Sequence, residues 1–152
     1  PGYEWFEQEL RAQVERLDLD DRVRFLGFNP EIWDNLAEAD VVLVPSTVDE
    51  PFGNTAVEAM LARRPLVVSR TSGLCEAAAG YRSVRFVTPG DPASIAEAVR
   101  NLLENWPTVR DQGAEDRALA MVRHDPRAYR SRLVAMCTPG RVTAQARTTS
   151  GA

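Results

Sequence analysis

Residues 41–58 read VVLVPSTVDEPFGNTAVE, an apolar run followed by a glycine turn and then a helical pattern. The apolar run Val41–Val44 is typical of a fully buried strand, and the spacing of apolar residues after Gly53 predicts a helix. A strand, a glycine turn and a helix N-terminus together present backbone N–H groups to an anionic ligand in α/β proteins. This region therefore predicts a binding site for a phosphate-containing molecule.

Two carboxylates, Glu50 and Glu58, flank the glycine turn. An ionised carboxylate can only accept hydrogen bonds, so it suits a ligand that carries hydroxyl groups. A ligand with both phosphate and hydroxyl groups is typical of a nucleotide sugar. The stretch therefore favours nucleotide-sugar binding over binding of a simple anion.

Apolar periodicity extends the same alternation of strands and helices along the chain. Strands are predicted at residues 23–26, 41–44, 66–69 and 84–87. Helices are predicted at residues 3–17, 31–38, 54–62, 72–79, 107–123 and 126–137, with one more beginning near Pro92. Alternating strands and helices predict an α/β fold, with a Rossmann-like parallel sheet and helices on both faces. Residues 138–152 have almost no large apolar side chains, and we expect them to be disordered.

The length and net charge of the chain limit the classes of protein to which it can belong. The chain has 152 residues, of which 44% are apolar, enough for the core of one domain, expected at residues 1–137. Its net charge of −4 and isoelectric point near 5.1 disfavour a nucleic-acid surface, which needs a basic face. No apolar run of 18 residues and no targeting motif occurs, so we expect a cytoplasmic protein.

The composition also excludes several kinds of chemistry. All 18 basic residues are arginine, so no lysine of this chain can form a Schiff base or bind phosphate. His124 is the only histidine, which argues against a histidine-based catalytic triad and against a histidine metal site. The two cysteines, Cys75 and Cys137, form no metal or redox motif.

Six segments resemble, in order, the C-terminal nucleotide-sugar-binding domain of retaining glycosyltransferases of family 4, which have the two-Rossmann GT-B architecture. They are Arg22–Gly27, Ala39–Ser46, Glu50–Ala59, Pro65–Val68, Gly73 with Glu76, and Val87–Asp91. The resemblance covers about two thirds of the chain. A single pair of glutamates at this spacing would be weak evidence, whereas the ordered series is specific.

The resemblance implies a role for each residue of the site. Glu50 would be catalytic, accepting hydrogen bonds from the donor sugar beside its reacting carbon. Phe52, Gly53, Asn54 and Thr55 would offer backbone N–H groups to the sugar and the diphosphate.

Two further contacts with the nucleotide follow from the same resemblance. Glu58 would accept hydrogen bonds from the ribose hydroxyls, and Phe28 and Asn29 would lie near the base. Enzymes of this kind transfer with retention and need no metal or other cofactor.

The chain departs from the family pattern in two places. The first strand, helix and strand of the family's C-terminal domain are absent, and with them the arginine and lysine that usually bind the diphosphate. Arg63 and Arg64 also stand where similar proteins usually have a small residue.

The expected partners follow from these absences. They are a nucleotide sugar, an N-terminal GT-B domain or another chain, and for the full-length enzyme an acceptor at the membrane periphery. We expect the fragment alone to be inactive in transfer. One alternative is a non-catalytic α/β remnant or interaction module. A nucleotide-sugar epimerase or phosphorylase of the same architecture fits less well, since a phosphorylase would be expected to need a pyridoxal-binding lysine.

Overall fold

The computed structural model describes residues 4–138, which divide after Ile32 into two compact units. The expected disorder of residues 138–152 falls, apart from Thr138, outside the described residues. The helices are α1 (Glu4–Arg16), α2 (Ile32–Glu38), α3 (Asn54–Leu61), α4 (Ser72–Ala77), α5 (Pro92–Glu104), α6 (Trp106–Arg123) and α7 (Pro126–Cys137). The strands are β1 (Val42–Val44), β2 (Leu66–Ser69) and β3 (Val84–Val87).

The three strands form a parallel sheet in the order β1-β2-β3. Val42 pairs with Leu66, and Leu66 pairs with Val84, so all three strands begin at the same edge. Helices follow each strand and flank the sheet, which confirms the predicted α/β fold. The order matches the second half of the doubly wound arrangement.

The core lies on both faces of the central strand β2. Val67 packs with Val87 of β3 and with Ala98 and Leu102 of α5. Side chains alternate along a strand, so Leu66 and Val68 point to the opposite face. Both are fully buried, and both α3 and α4 contact β2. Burial on both faces explains why this strand is an unbroken apolar run.

The start of α5 follows directly from local sequence. The Asp91 side chain accepts hydrogen bonds from the N–H groups of Ala93 (2.9 Å) and Ser94 (3.3 Å). Pro92 occupies the first turn, where its missing N–H costs nothing. Leu102 of this helix is fully buried, whereas its neighbour Leu103 is 54% exposed and does not share that face.

Two strand predictions need correction. No strand forms at residues 23–26 in the described part of the chain. A strand needs a neighbour for its backbone N–H and C=O groups, and the described residues of the first unit contain no second strand. Strand β1 exists but is not fully buried, because Leu43 is 46% exposed between buried Val42 and Val44.

In the first unit, residues 23–26 instead pack against α1. The guanidinium of Arg11 lies 4.3 Å from the centre of the Phe25 ring. Val23 and Phe25 line a shallow apolar pocket together with Leu10 and Val14 of α1. The helix predicted at residues 3–17 is confirmed as α1, although none of its described residues is buried.

Among residues 4–138, no helix is long and apolar enough to cross a membrane.

A buried carboxylate joins α6 to the start of β3. Asp116 is 3% exposed and accepts hydrogen bonds from the N–H of Arg82 (2.9 Å) and the N–H of Ser83 (2.7 Å). The hydroxyl of Ser83 donates a third bond at 2.5 Å. The network satisfies buried donors that would otherwise carry the full cost of leaving water.

We predict that Asp116→Ala lowers the free energy of unfolding by about 3 kcal/mol, because it leaves buried N–H and O–H donors without an acceptor. Urea unfolding followed by circular dichroism measures the change. The matched control is Glu115→Ala, which breaks the exposed ion pair with Arg82 and should cost less than about 1 kcal/mol. Equal losses for the two variants would contradict the assignment.

Candidate functional site

The loop between β1 and α3 carries the sequence-predicted site at the carboxyl end of the sheet. Gly53 is buried and forms the N-cap of α3, with φ 94° in the left-handed region. A β-carbon at this position would lie 2.5 Å from Cδ2 of Leu74. The left-handed backbone angle favours glycine here, and a β-carbon would also displace the end of the Leu74 side chain.

The N-terminus of α3 is open to ligand. Glycine has no side chain, so no cap bond satisfies the first N–H groups of the helix. Asn54 and Thr55 are exposed, and no bond from their N–H groups to an acceptor in the described residues is recorded. Free N–H groups and the helix dipole together attract an anion.

Glu50 precedes this N-terminus in the sequence and Glu58 follows it, and both are half-buried. The hydroxyl of Ser46 donates a short hydrogen bond to Oε1 of Glu50. This bond orients the carboxylate and leaves Oε2 available. Glu58 lies about one turn into α3, and no hydrogen bond of its side chain to a described residue is recorded. Both carboxylates can therefore accept bonds from a ligand.

A very close backbone approach holds this loop against α4. A β-carbon on Gly73 would overlap the carbonyl oxygen of Glu50 and would lie 2.7 Å from the nitrogen of Phe52 and 2.8 Å from the carbonyl carbon of Pro51. Only hydrogen on Cα fits there. The ordered series contained Gly73, but its spacing did not reveal that this glycine contacts the Glu50–Phe52 backbone.

Asp49 supplies a second link between the loop and α4. Its Oδ1 accepts a hydrogen bond from the N–H of Ser72 at 2.9 Å. The backbone N–H of Ser72, and then its hydroxyl, hold the pKa of the Asp49 carboxyl below its usual value. Thr71, the N-cap of α4, makes no side-chain cap bond itself. Sequence reasoning missed the role of Asp49 because its hydrogen-bond partner Ser72 lies 23 residues later in the chain.

An open groove of about 1260 Å³ lies beside the glycine turn. Phe52 and Asn54 line it together with Glu76 of α4 and the apolar side chains of α7, including Tyr129, Leu133 and Met136. Glu76, one of the residues of the ordered series, thus lines the same groove as the turn.

His124 packs against the turn from the end of α6. Its ring lies 5.9 Å from the Phe52 ring in an edge-on arrangement, and its Nε2 is 3.2 Å from the hydroxyl of Tyr81. Burial, and then the charge of Arg123, lower the pKa of His124. The imidazole is therefore mainly neutral at pH 7 and acts as an uncharged support for Phe52.

Phe28 and Asn29 belong to the first unit, residues 1–32. Phe28 is 94% exposed, and Oδ1 of Asn29 accepts a hydrogen bond from the N–H of Glu31 at 2.9 Å. Their expected position near a nucleotide base stays a prediction.

Comparison with known proteins identifies the family. The model of the family described as "Glycosyl transferases group 1" matches residues 2–118, which is most of the chain. The chain belongs to this glycosyltransferase family. A 2-deoxystreptamine glucosyltransferase of Streptomyces kanamyceticus is 36% identical over 99 residues, 64% of this chain and 25% of the relative. A D-inositol 3-phosphate glycosyltransferase of Corynebacterium jeikeium is 37% identical over 98 residues, 63% of this chain and 23% of the relative.

Solved structures place the fold among GT-B glycosyltransferases. Anabaena Alr3699/HepE, solved with UDP and with UDP-glucose, superposes with a TM-score of 0.84 at 30% identity. The match covers 89% of this chain and 37% of that one. The lipopolysaccharide glycosyltransferase WaaG shares the fold with a TM-score of 0.72 at 19% identity. The chain spans about a quarter of the length of the curated relatives named above.

We predict that Gly73→Ala destabilises the protein by about 2 kcal/mol, because the new methyl group overlaps the Glu50–Phe52 backbone. Glycine to alanine in a helix otherwise stabilises by about 0.5–1 kcal/mol, so the sign of the change is informative. Urea unfolding gives the value.

The matched control is Gly90→Ala, where φ is 73° but nothing lies within 4 Å of the new atom. It should cost about 1 kcal/mol from backbone strain alone. A neutral or stabilising Gly73→Ala would show that the close approach does not constrain the loop.

We predict that the Asp49 link weakens in acid. Its folded pKa lies below the ordinary 3.8, so its contribution to stability is present above that pH and is lost as pH falls through the folded value. Asp49→Ala should therefore destabilise the protein at pH 7, and the difference from wild type should shrink below pH 3.8. Urea unfolding of both proteins at pH 7 and in acid tests this, and a difference that does not change with pH would contradict it.

Proposed function

We propose that this chain is the donor-binding part of a retaining, family 4 glycosyltransferase that transfers a hexose from a nucleoside-diphosphate sugar. The observation that carries the proposal is the uncapped N-terminus of α3, flanked by Glu50 and Glu58, in a chain of the glycosyl transferases group 1 family. The complexes of Anabaena Alr3699/HepE with UDP and UDP-glucose make a UDP-hexose the first donor to test.

Each part of the loop has a task in this proposal. The N–H groups of Asn54 and Thr55 bind diphosphate oxygens at the positive end of the α3 dipole. Glu58 accepts hydrogen bonds from the ribose hydroxyls. Glu50, with one oxygen held by Ser46, accepts bonds from sugar hydroxyls next to the anomeric carbon. The carboxylates thereby bind the hydroxyl groups of the donor, and the helix N-terminus binds its diphosphate.

The transfer step needs no side-chain base from this chain. The acceptor hydroxyl oxygen bonds to the anomeric carbon on the face that the diphosphate leaves, which retains configuration. The bond from the anomeric carbon to the diphosphate breaks, and a departing diphosphate oxygen takes the acceptor proton. Glu50 stabilises the position of the sugar while positive charge develops at the anomeric carbon.

The loop residues themselves carry no positive side chain to neutralise the diphosphate, and the arginines that line the groove are Arg123 and the exposed Arg132 of α7. Arg123 lines the groove, but its Nη1 donates to the carbonyl of Ala79 at 2.6 Å and its guanidinium lies 5.0 Å from the centre of the Tyr81 ring. It is therefore engaged within the protein. We infer that this chain alone binds a donor weakly and does not transfer sugar, and that an acceptor-binding GT-B domain or another chain completes the enzyme.

We predict that Glu58→Ala weakens binding of UDP and UDP-glucose about tenfold, because hydrogen bonds to a charged acceptor are worth about 1.5–3 kcal/mol. Glu50→Ala should weaken UDP-glucose by a similar factor and leave UDP nearly unchanged, since UDP has no sugar at that position. Isothermal titration calorimetry measures all four affinities. Glu97→Ala, an exposed carboxylate of α5, is the matched control.

Two further titrations complete the experiment. Titrations with GDP and ADP test which base the site prefers. Addition of EDTA tests the expected independence from metal ions, and it should leave the affinity for UDP unchanged. The same titrations with a longer chain that also contains an acceptor-binding domain test whether residues outside this chain strengthen donor binding. If none of these nucleotides binds to either folded protein, the proposed function is wrong.

A further inference from the structure

A second pocket lies at the opposite edge of the sheet from the glycine turn. Asp40 precedes β1, and Arg64 and Pro65 directly precede β2. The N–H of Val42 donates to the carbonyl of Pro65 at 2.9 Å, which brings the two strand starts together. The pocket has a volume of about 390 Å³. It is separate from the loop that carries the proposed donor site, because that loop follows the carboxyl ends of the strands.

Three arginines and a single carboxylate line this pocket, which leaves it with an excess of positive charge. Arg63, Arg64 and Arg110 face one lining carboxylate, Asp40. In residues 4–138, ion pairs join Arg11 to Glu7 and Arg82 to Glu115, and neither involves these three arginines. Like charges gathered in one concave site repel each other, and an anion between them removes that repulsion.

Arg64 is the most constrained of the three. Its Nη2 donates to the carbonyl of Ala37 at 2.9 Å, which fixes the guanidinium beside the pocket. Its Nε is buried and has no hydrogen-bond partner in the described protein. A buried charged donor without an acceptor is costly, so this N–H marks a position where a ligand oxygen would be stabilised.

Close helix packing brings Arg110 to the other two arginines. A β-carbon at Gly113 of α6 would lie 3.3 Å from the carbonyl oxygen of Arg63, so α6 passes tightly against the end of α3. Arg110 is three residues earlier and lies on the same face of α6. Arg63 itself has φ 60°, a left-handed conformation that ends α3 and turns the chain toward Pro65.

The beginning of α6 adds to the positive potential of the pocket. Trp106, the first residue of α6, lines the pocket, and the N-cap residue Asn105 makes no side-chain cap bond. The helix dipole therefore places partial positive charge near the three guanidinium groups.

We propose that this arginine pocket binds a phosphate group, either free phosphate or the exposed phosphate of an anionic lipid headgroup. Guanidinium groups match phosphate oxygens in paired hydrogen bonds, and three of them suit a group with several charged oxygens. The proposal does not depend on donor binding, since the two sites share no residue.

The first test is titration of the folded chain with inorganic phosphate, by isothermal titration calorimetry in a phosphate-free buffer. Arg110→Gln should weaken phosphate binding about tenfold, the loss expected for a charge-assisted hydrogen bond. Arg117→Gln is the matched control, because Arg117 lies on the same helix, is exposed and does not line the pocket. Arg63→Gln provides a second variant at an exposed position.

The second test distinguishes the two sources of phosphate. Sedimentation with phosphatidylcholine vesicles, with and without phosphatidic acid, measures binding to a lipid headgroup. Arg110-dependent binding of inorganic phosphate supports a soluble phosphate ligand, and Arg110-dependent binding of phosphatidic acid vesicles supports a lipid headgroup. UDP affinity of Arg110→Gln should equal that of wild type.

The proposal is overturned by either of two results. One is that neither inorganic phosphate nor phosphatidic acid vesicles bind the folded wild-type chain. The other is that Arg110→Gln and Arg117→Gln lose binding equally, which would reflect general charge and not the pocket. If the folded wild-type chain binds phosphate at this pocket but does not bind UDP, the result counts against the proposed donor site and not against the arginine pocket.

Discussion

The contact of the Gly73 α-carbon with the Glu50–Phe52 backbone is the constraint on which the candidate site depends. It places the start of α4 directly beneath the loop that leads into α3. Gly53 then meets Leu74 at the next position of the same helix. Backbone atoms are less able to move than side-chain tips, so this packing fixes the direction in which the first N–H groups of α3 point.

Polar links reinforce this packing from the loop side. Asp49 accepts from the N–H of Ser72, and Ser46 donates to Glu50. The loop residues are themselves largely exposed, so apolar burial contributes little to their order. A binding loop that is held by backbone contact and hydrogen bonds can stay accessible to ligand and still present its carboxylates in one arrangement.

The elements with strong local signals could be predicted from sequence, and those that depend on distant partners could not. The strand at 66–69 is apolar on both faces, and Asp91 with Pro92 marks the start of α5, so both were evident in the sequence. The segment at 23–26 has strand-like alternation, but pairing requires a neighbour that local sequence does not encode. Leu43 likewise resembles its buried neighbours, and only the tertiary packing leaves it exposed.

The same distinction applies to the candidate site. The spacing of Glu50, Gly53 and Glu58 was visible because all three lie within nine residues of sequence. Asp49 and Gly73 act across a gap of more than twenty residues, and their roles depend on how α4 crosses the loop. Residues whose function is to position others are thus the hardest to identify from a single sequence.

Charge is distributed unequally between the two edges of the sheet. The carboxyl edge presents Glu50 and Glu58 beside an open helix N-terminus, and the amino edge gathers Arg63, Arg64 and Arg110. Strands of three to four residues separate these edges by only about 10–13 Å, close to the distance over which physiological salt screens charge. The path between the two sites, however, runs through packed strands and helices, where salt screens charge less than in water, so an anion at the arginine pocket would still alter the potential at the carboxylate edge.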